Sequence, residues 1–394
     1  MNHKLIIAWV IASMASPCIS GQSTVDSVLS AVLRNNKTLS AGLQYMEAKR
    51  LEYGTGLSLP NPTVQYEYLF GSPATAGDQQ DFLAIQSFDF PSAYKRRKEF
   101  AEQKGNGIAY QFAADRQEIL VEAQTTCIEL VFQRKRKSLL DKRVVALQSL
   151  VEDFQEKLDQ GDGNIMDVNK AKLQLLQARQ ERNEAEIEIS GLNTRLIGLN
   201  GGEQIIFTDT VYPVIPEIPA FELLEQDYEL YDPVRKGVEQ EKKSAESQLA
   251  VLKATNLPKF EVGYRYQGIL GQRFNGVHAG VTLPLWEQQN KVEHQEAEVF
   301  YSELQIQEHL NEHYYEIRQL YDLQAAQASI LQQYRDSFAG DNNLVLLDKA
   351  LRLGEISTIE YFLETSFYYL TTVQYLETER DYHITLCNMF KYKL

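Results

Sequence analysis

The sequence predicts a mainly α-helical protein with a smaller β part of the membrane-barrel kind, written as two copies of one unit. Three observations lead there. Long stretches keep a heptad spacing of apolar residues and are too long for a compact globule. Four short stretches alternate apolar and polar residues. The stretch "DQGDGNIMDVNKA" (Asp159 to Ala171) also returns as "RLGEISTIEYFLE" (Arg352 to Glu364), so that Gly161, Asn164 and Asp167 match Gly354, Ser357 and Glu360 at one offset.

Residues 1–21 read as a secretory signal peptide: Lys4, an apolar core from Leu5 to Met14, then small residues up to Gly21. Pro17 makes Cys18 a poor lipidation site. The first unit, 22–205, opens with a helix near Thr24 to Tyr53, and its strands are Thr63 to Phe70 and Phe82 to Phe90. A helix from Ser92 to Gln160 follows, about 100 Å long at the α-helical rise. Within it Leu140, Val144, Leu147, Val151, Phe154 and Leu158 alternate by four and three, the spacing of a coiled-coil seam. After a Gly break the seam resumes at Val168 and runs to Leu199. The Gly- and Pro-rich segment around 206–220 is a linker.

The second unit, 221–394, repeats the order. Its helix covers Phe221 to Ala254, its strands Phe260 to Gln267 and Gly276 to Leu283, and its long helices Gln288 to Arg352 and Ser357 to Met389. "LPNPTVQYEY" (Leu59 to Tyr68) and "LPKFEVGYRY" (Leu257 to Tyr266) keep Leu-Pro, Val, Tyr and Tyr in step. The duplicated motif reads as two helical-hairpin tips. Gly161 and Gly354 take the left-handed conformation that ends one helix. Ser357 with Glu360 forms a capping box at the start of the next, and Asn164 with Asp167 is its near equivalent.

The strands sort by face. Val64, Tyr66 and Tyr68 oppose Thr63, Gln65 and Glu67; Phe260, Val262, Tyr264 and Tyr266 oppose Glu261, Gly263, Arg265 and Gln267; Val277, Ala279 and Val281 oppose His278 and Gly280. The second strand is less regular, because Gln86 interrupts Phe82, Ala84, Phe88 and Phe90. A half-buried soluble sheet has the same period.

With these residues in place the chain resembles the TolC-type outer membrane factors, the exit ducts of bacterial tripartite efflux and secretion systems. The duplicated hairpin motif, the "LPKFEVGYRY" strand start and the "VTLPLW" strand exit carry the resemblance over nearly the whole mature chain. "NPTVQYEY" followed by "SFDFPSAYKRRKEFAE" is most similar to the heavy-metal efflux branch, whose cargo is metal cations. The resemblance implies a homotrimer whose four strands per protomer close a twelve-stranded outer-membrane barrel above an α-helical tunnel. It implies that Gly161, Asn164, Asp167, Gly354, Ser357 and Glu360 lie where a periplasmic adaptor docks, with an inner-membrane pump of the resistance-nodulation-division type beyond it. Gln65, Glu67, Glu261, Arg265 and His278 would then line the barrel lumen, with outer-membrane lipid on the other side. Four strands cannot close a barrel alone, and lipid does not tolerate open edges, so oligomerisation is expected on physical grounds too. The loops at Gly71 to Gln80 and Gly268 to Asn275 would face outside. A secreted coiled-coil scaffold or adaptor without a barrel is the alternative.

Other signals are weaker. With 39 Lys+Arg against 54 Asp+Glu the chain carries −15, a poor match for nucleic acid. "HLNEH" (His309 to His313) fits the inverted zinc-protease pattern with Glu312 as base, but it lies in a long charged helix with no third ligand in view, so an exposed helix face is expected and no metal. The basic runs Lys95 to Lys98 and Arg134 to Lys137 read as solvated helix faces, the first with an option on lipid phosphates. Cys127 and Cys387 fall on helical stripes, where buried free thiols are expected, with a disulfide between the two as the alternative. No phosphate loop and no nucleophile–base set is present, so neither enzyme chemistry nor a cofactor is expected.

Overall fold

A computed structural model describes residues 25–286, 289–340 and 342–394. The signal-peptide segment 1–21 lies outside the described residues. The elements run α1 (Val25–Asn35), α2 (Lys37–Tyr53), β1 (Thr63–Leu69), β2 (Gln79–Phe88), α3 (Pro91–Asp159) and α4 (Ile165–Leu199). They continue α5 (Phe221–Tyr231), α6 (Pro233–Thr255), β3 (Lys259–Ile269), β4 (Gln272–Thr282), α7 (Lys291–Phe338), α8 (Asn343–Leu353) and α9 (Thr358–Met389). Helix α3 alone has 69 residues, about 100 Å at the α-helical rise. It packs along α4 and α6, and α7 packs along α6 and α9. Among the described residues no helix is long and apolar enough to cross a membrane.

Three expected helices are broken, each for a local reason. The helix expected at Thr24 to Tyr53 divides at Asn36, whose backbone is extended (φ −60°, ψ 124°) and whose side chain accepts from Leu39 N. The Asn36 amide also donates to the Leu199 carbonyl at 2.7 Å, tying the junction to the end of α4. The helix expected at Phe221 to Ala254 divides at Asp232, which caps α6 ahead of Pro233 at its first position. Proline fits there because its missing N–H would be unpaired in any case. The helix expected at Gln288 to Arg352 stops at Phe338 and restarts at Asn343, with Gly340 at φ 78° in the gap.

The strands form one antiparallel sheet in chain order, β1-β2-β3-β4. The β2–β3 pair joins the two halves, with Phe82 opposite Tyr266 and Phe88 opposite Phe260. Strand β2 begins at Gln79 and ends at Phe88, earlier at both ends than expected. The loop expected at Gly268 to Asn275 is largely strand: only Leu270 (φ 51°) and Gly271 (φ 80°) turn the chain, as a two-residue hairpin turn demands.

Among the described residues, three apolar clusters hold the body together. The first gathers Val28 and Val32 of α1, Leu120 to Phe132 of α3, Leu196 of α4 and Phe207 of the linker. Cys127 and Cys387 are buried there as free thiols, and burial pushes both up to about 12. The second cluster lies toward the hairpin tips, the third between α5, α7, α9 and the C-terminus. Within the run Arg134 to Lys137 the first two residues are not a solvated face, because they clamp the linker, while Lys137 pairs with Asp141 along its own helix. Arg134 donates to the carbonyls of Phe207 and Asp209. Lys135 pairs with Glu379 at 2.7 Å and sits over the Tyr212 ring. Tyr212 stacks on His383 at 4.3 Å, whose imidazole is pushed down to about 4, first by burial and then by Lys135 and Arg335.

Candidate functional site: the hairpin tips and the sheet

Both tips end their first helix alike. At the first, Gly161 (φ 82°) donates to the Leu158 carbonyl and Asp162 N to Lys157 O, both at 3.0 Å. At the second, Gly354 (φ 71°) donates to Leu351 O and Glu355 N to Ala350 O. These paired bonds are the Schellman motif, which needs a left-handed residue and so favours glycine.

The next helices start differently. Ser357 and Glu360 form the expected capping box: Glu360 N donates to Ser357 Oγ at 3.3 Å, and Ser357 N to Glu360 Oε2 at 2.8 Å. The Ser357 backbone N–H, then its side chain, hold the Glu360 carboxyl below its ordinary value. Asn164 accepts instead from Met166 N at 2.9 Å, two residues on. Asp167 is one methylene shorter than Glu360, and only its backbone N–H bonds back, to the Asn164 carbonyl. The near-equivalent box is therefore a single-sided cap.

The structure brings the tips side by side. A groove of about 510 Å³ between them is lined by Asp162, Asn164 and Asp167 from one and Ile356, Ser357 and Ile359 from the other. Gly161, Gly354 and Glu360 do not line it. Sequence reasoning passed over exposed apolar residues beside the caps: Ile165 and Met166 on α4, Ile359 on α9. Their signal was an apolar residue in the first turn of a capped helix, off the heptad seam.

The register puts Gln65, Glu67, Glu261, Arg265 and His278 on one face of the sheet. Asp81, which the late strand start excluded, joins them opposite Glu67. Arg265 grips its carboxylate with Nη2 at 2.6 Å and Nε at 3.2 Å, a two-point geometry specific to guanidinium. His278 Nε2 stands 3.8 Å from Glu261 Oε2. Leu83 and Ile85 share this face, so it is not wholly polar. The other face carries Val64, Tyr66, Val262, Tyr264, Val277 and Val281, all exposed, with Val277 84% so. Gln86 lies on this side and is satisfied by donating to the carbonyls of Pro60 and Ser87. Among the described residues, the outer edges of β1 and β4 have no partner strand in the sheet.

The other singled-out residues fall elsewhere. Arg97 of the first basic run pairs with Asp89 at the end of the sheet. His309 and His313 are half-buried and meet Asp232, so the expectation of a bare exposed helix face is corrected, while Glu312 stays exposed.

No family model and no curated protein matches this sequence. Solved structures match over nearly all of it. CusC, known for transmembrane channel formation, superposes with a TM-score of 0.79 at 13% identity, covering 93% of this chain and 91% of its own. The CmeC outer membrane channel of Campylobacter jejuni gives 0.74 at 14%, covering 100% and 93%. The open MtrE outer membrane channel of Neisseria gonorrhoeae gives 0.65 at 14%, covering 93% and 88%. At such identities the likeness is one of fold: this chain has the fold of outer-membrane channels, and the TolC-type resemblance is borne out at that level.

Proposed function

We propose that the protein is the outer-membrane exit duct of a tripartite efflux system, passively conducting substrate outward from a periplasmic adaptor and an inner-membrane pump of the resistance-nodulation-division type. One observation carries the reading. A sheet with an exposed apolar face and two open edges sits on a helical body about 100 Å long. Water penalises such a face, and lipid penalises such edges. Three chains joined β4 to β1 satisfy both, as a twelve-stranded barrel with Val64, Tyr66, Tyr264 and Val277 toward lipid. Gln65, Glu67, Asp81, Glu261, Arg265 and His278 then line the lumen. The long helices of each unit continue the barrel as a periplasmic tunnel, and the two tips of each chain meet the adaptor. A soluble coiled-coil scaffold would leave the Tyr-rich face without a partner. The chain's acidity favours cationic cargo, metal ions included.

Planar-bilayer recording of the purified protein tests this. Discrete conductance steps are expected, larger for the double charge reversal Asp167→Lys, Glu360→Lys, which should also cut export in cells by more than half. No channel activity from intact, detergent-stable protein would overturn the reading.

A further inference from the structure

Helix α7 presents His309 and His313 one turn apart, with ring centroids 5.3 Å apart. Facing them is Asp232, at the break between α5 and α6 and 1% exposed. One of its oxygens, Oδ2, accepts from Arg235 N at 2.9 Å and stands 3.9 Å from His313 Nε2. The other, Oδ1, is buried with no hydrogen-bond partner, and so is His309 Nε2. A buried polar atom left unpaired is costly. Arg235 Nε and Nη1, which also lack a hydrogen bond here, face Glu239 and Glu229 at 3.3 Å, whereas Asp232 Oδ1 and His309 Nε2 have no such partner and point to an absent occupant. One potential ligand atom from each of the three residues falls within 4.8 Å of the others.

We propose that Asp232, His309 and His313 form a structural zinc(II) site that clips the α5–α6 junction to α7. Two imidazole nitrogens and one carboxylate oxygen are a donor set typical of zinc, whereas calcium and magnesium take oxygen ligands. Zinc bonds of about 2.0–2.1 Å require the three groups to draw together modestly, with Asp232 held by its capping bond. A cavity of about 30 Å³ beside them is lined by both histidines, Tyr228, Arg235, Glu225 and Glu229. Asp232 does not line it, so it offers room for a water on the ion's open side, and its acids offset Arg235, which pairs with Glu229 and Glu239. Glu312, the base a zinc peptidase of this pattern needs, is exposed. The site is therefore a clip between helices. It goes beyond the duct reading and does not depend on what the duct conducts.

The test uses the full-length protein without a polyhistidine tag, stripped with chelator, reloaded with Zn²⁺ and desalted. Elemental analysis should find one zinc per chain, retained against excess Mg²⁺, and Zn²⁺ should raise the unfolding midpoint. His309→Gln and Asp232→Asn should each weaken binding at least tenfold and abolish that rise. Asn is itself a good helix cap, so Asp232→Asn keeps α6 capped. If it misfolds, His309→Gln decides alone. Cobalt(II) in place of zinc should give the visible absorption of a four-coordinate site, lost in His309→Gln. A wild-type chain holding no zinc, or variants holding as much, would overturn the proposal and leave a hydrated polar cavity. A failed channel recording would not touch this result, because the metal count needs no conductance.

Discussion

The two hairpins begin from the same written motif and are built to different stiffness. The first rests on α3, unbroken over 69 residues, and its seam residues Val144, Leu147, Val151 and Phe154 meet Val168, Ala171, Leu175 and Ala178 of α4 in one buried cluster. Arg143 reinforces it, pairing with Glu181 at 3.0 Å while 10% exposed. The second hairpin carries a break between α7 and α8, and α8 has no buried residue. It leans on the first instead. Tyr361 and Phe362 enter the first hairpin's cluster, Tyr361 donates to Asp348 at 2.6 Å, and Arg352 reaches Asp153 across the hairpins at 3.6 Å. One hairpin carries its own core, and the other borrows from it.

The loops differ at one matched position. Gly163 lies so close to the preceding helix that a Cβ would stand 2.4 Å from Leu158 N and 2.6 Å from its Cα. The matched residue in the second tip is Ile356, which packs against the shared cluster just ahead of its N-cap, the place of a hydrophobic staple. One tip is closed by backbone contact, the other by a side chain.

Substitutions should separate the two constructions. Phe362→Ala should have the largest effect, about 3–5 kcal/mol, and should release the second tip, read as faster amide exchange in α8 than in α3. Equal loss of protection in both would mean that the hairpins share one cooperative core. Next comes Gly163→Val, expected to cost about 1–3 kcal/mol because the clash is with backbone, while Ile356→Val stays within about 0.5–1.5 kcal/mol. A thermal scan in which Gly163→Val melts like wild type would remove the close approach from the account.

The caps should respond least and most selectively. Ser357→Ala and Asn164→Ala should each cost about 1 kcal/mol. Only the second cap should depend on acid. The folded Glu360 carboxyl sits below its ordinary value, so its stabilising contribution is complete above the unfolded pKa of about 4.3. It is lost as pH falls through the lower folded value. Exchange protection in the first turn of α9 should therefore fall on acidification in wild type, and less so in Glu360→Gln. The Asn164 amide does not titrate, and its cap should be indifferent to pH.

What could be read in the sequence follows from where the signal is local. Heptads, strand alternation and glycine-plus-cap tips depend on neighbours a few residues apart, and they located α3, α4, α9 and the faces of β1, β3 and β4. The breaks at Asn36, Asp232 and Gly340 were missed because one residue with an extended or left-handed backbone barely disturbs a periodic pattern. Asp232-Pro233 was the readable signal, an N-cap followed by proline. Asp81 falls outside the expected second strand, which starts at its first aromatic residue, Phe82, whereas β2 starts at Gln79. The duty of Arg134 and Lys135 could not be read locally, since their partners, Phe207, Asp209 and Glu379, lie far away in the chain. The same holds for Asp232 beside His309 and His313, which only the packing of α6 on α7 brings together.

The central claim is that this open four-stranded sheet closes with two further copies in the outer membrane. Native mass spectrometry of protein extracted from isolated outer membranes tests it most directly. The account predicts recovery in that fraction at the mass of three chains. A water-soluble periplasmic monomer or dimer would contradict it, and the sheet would then have to be a soluble cap on a coiled-coil scaffold.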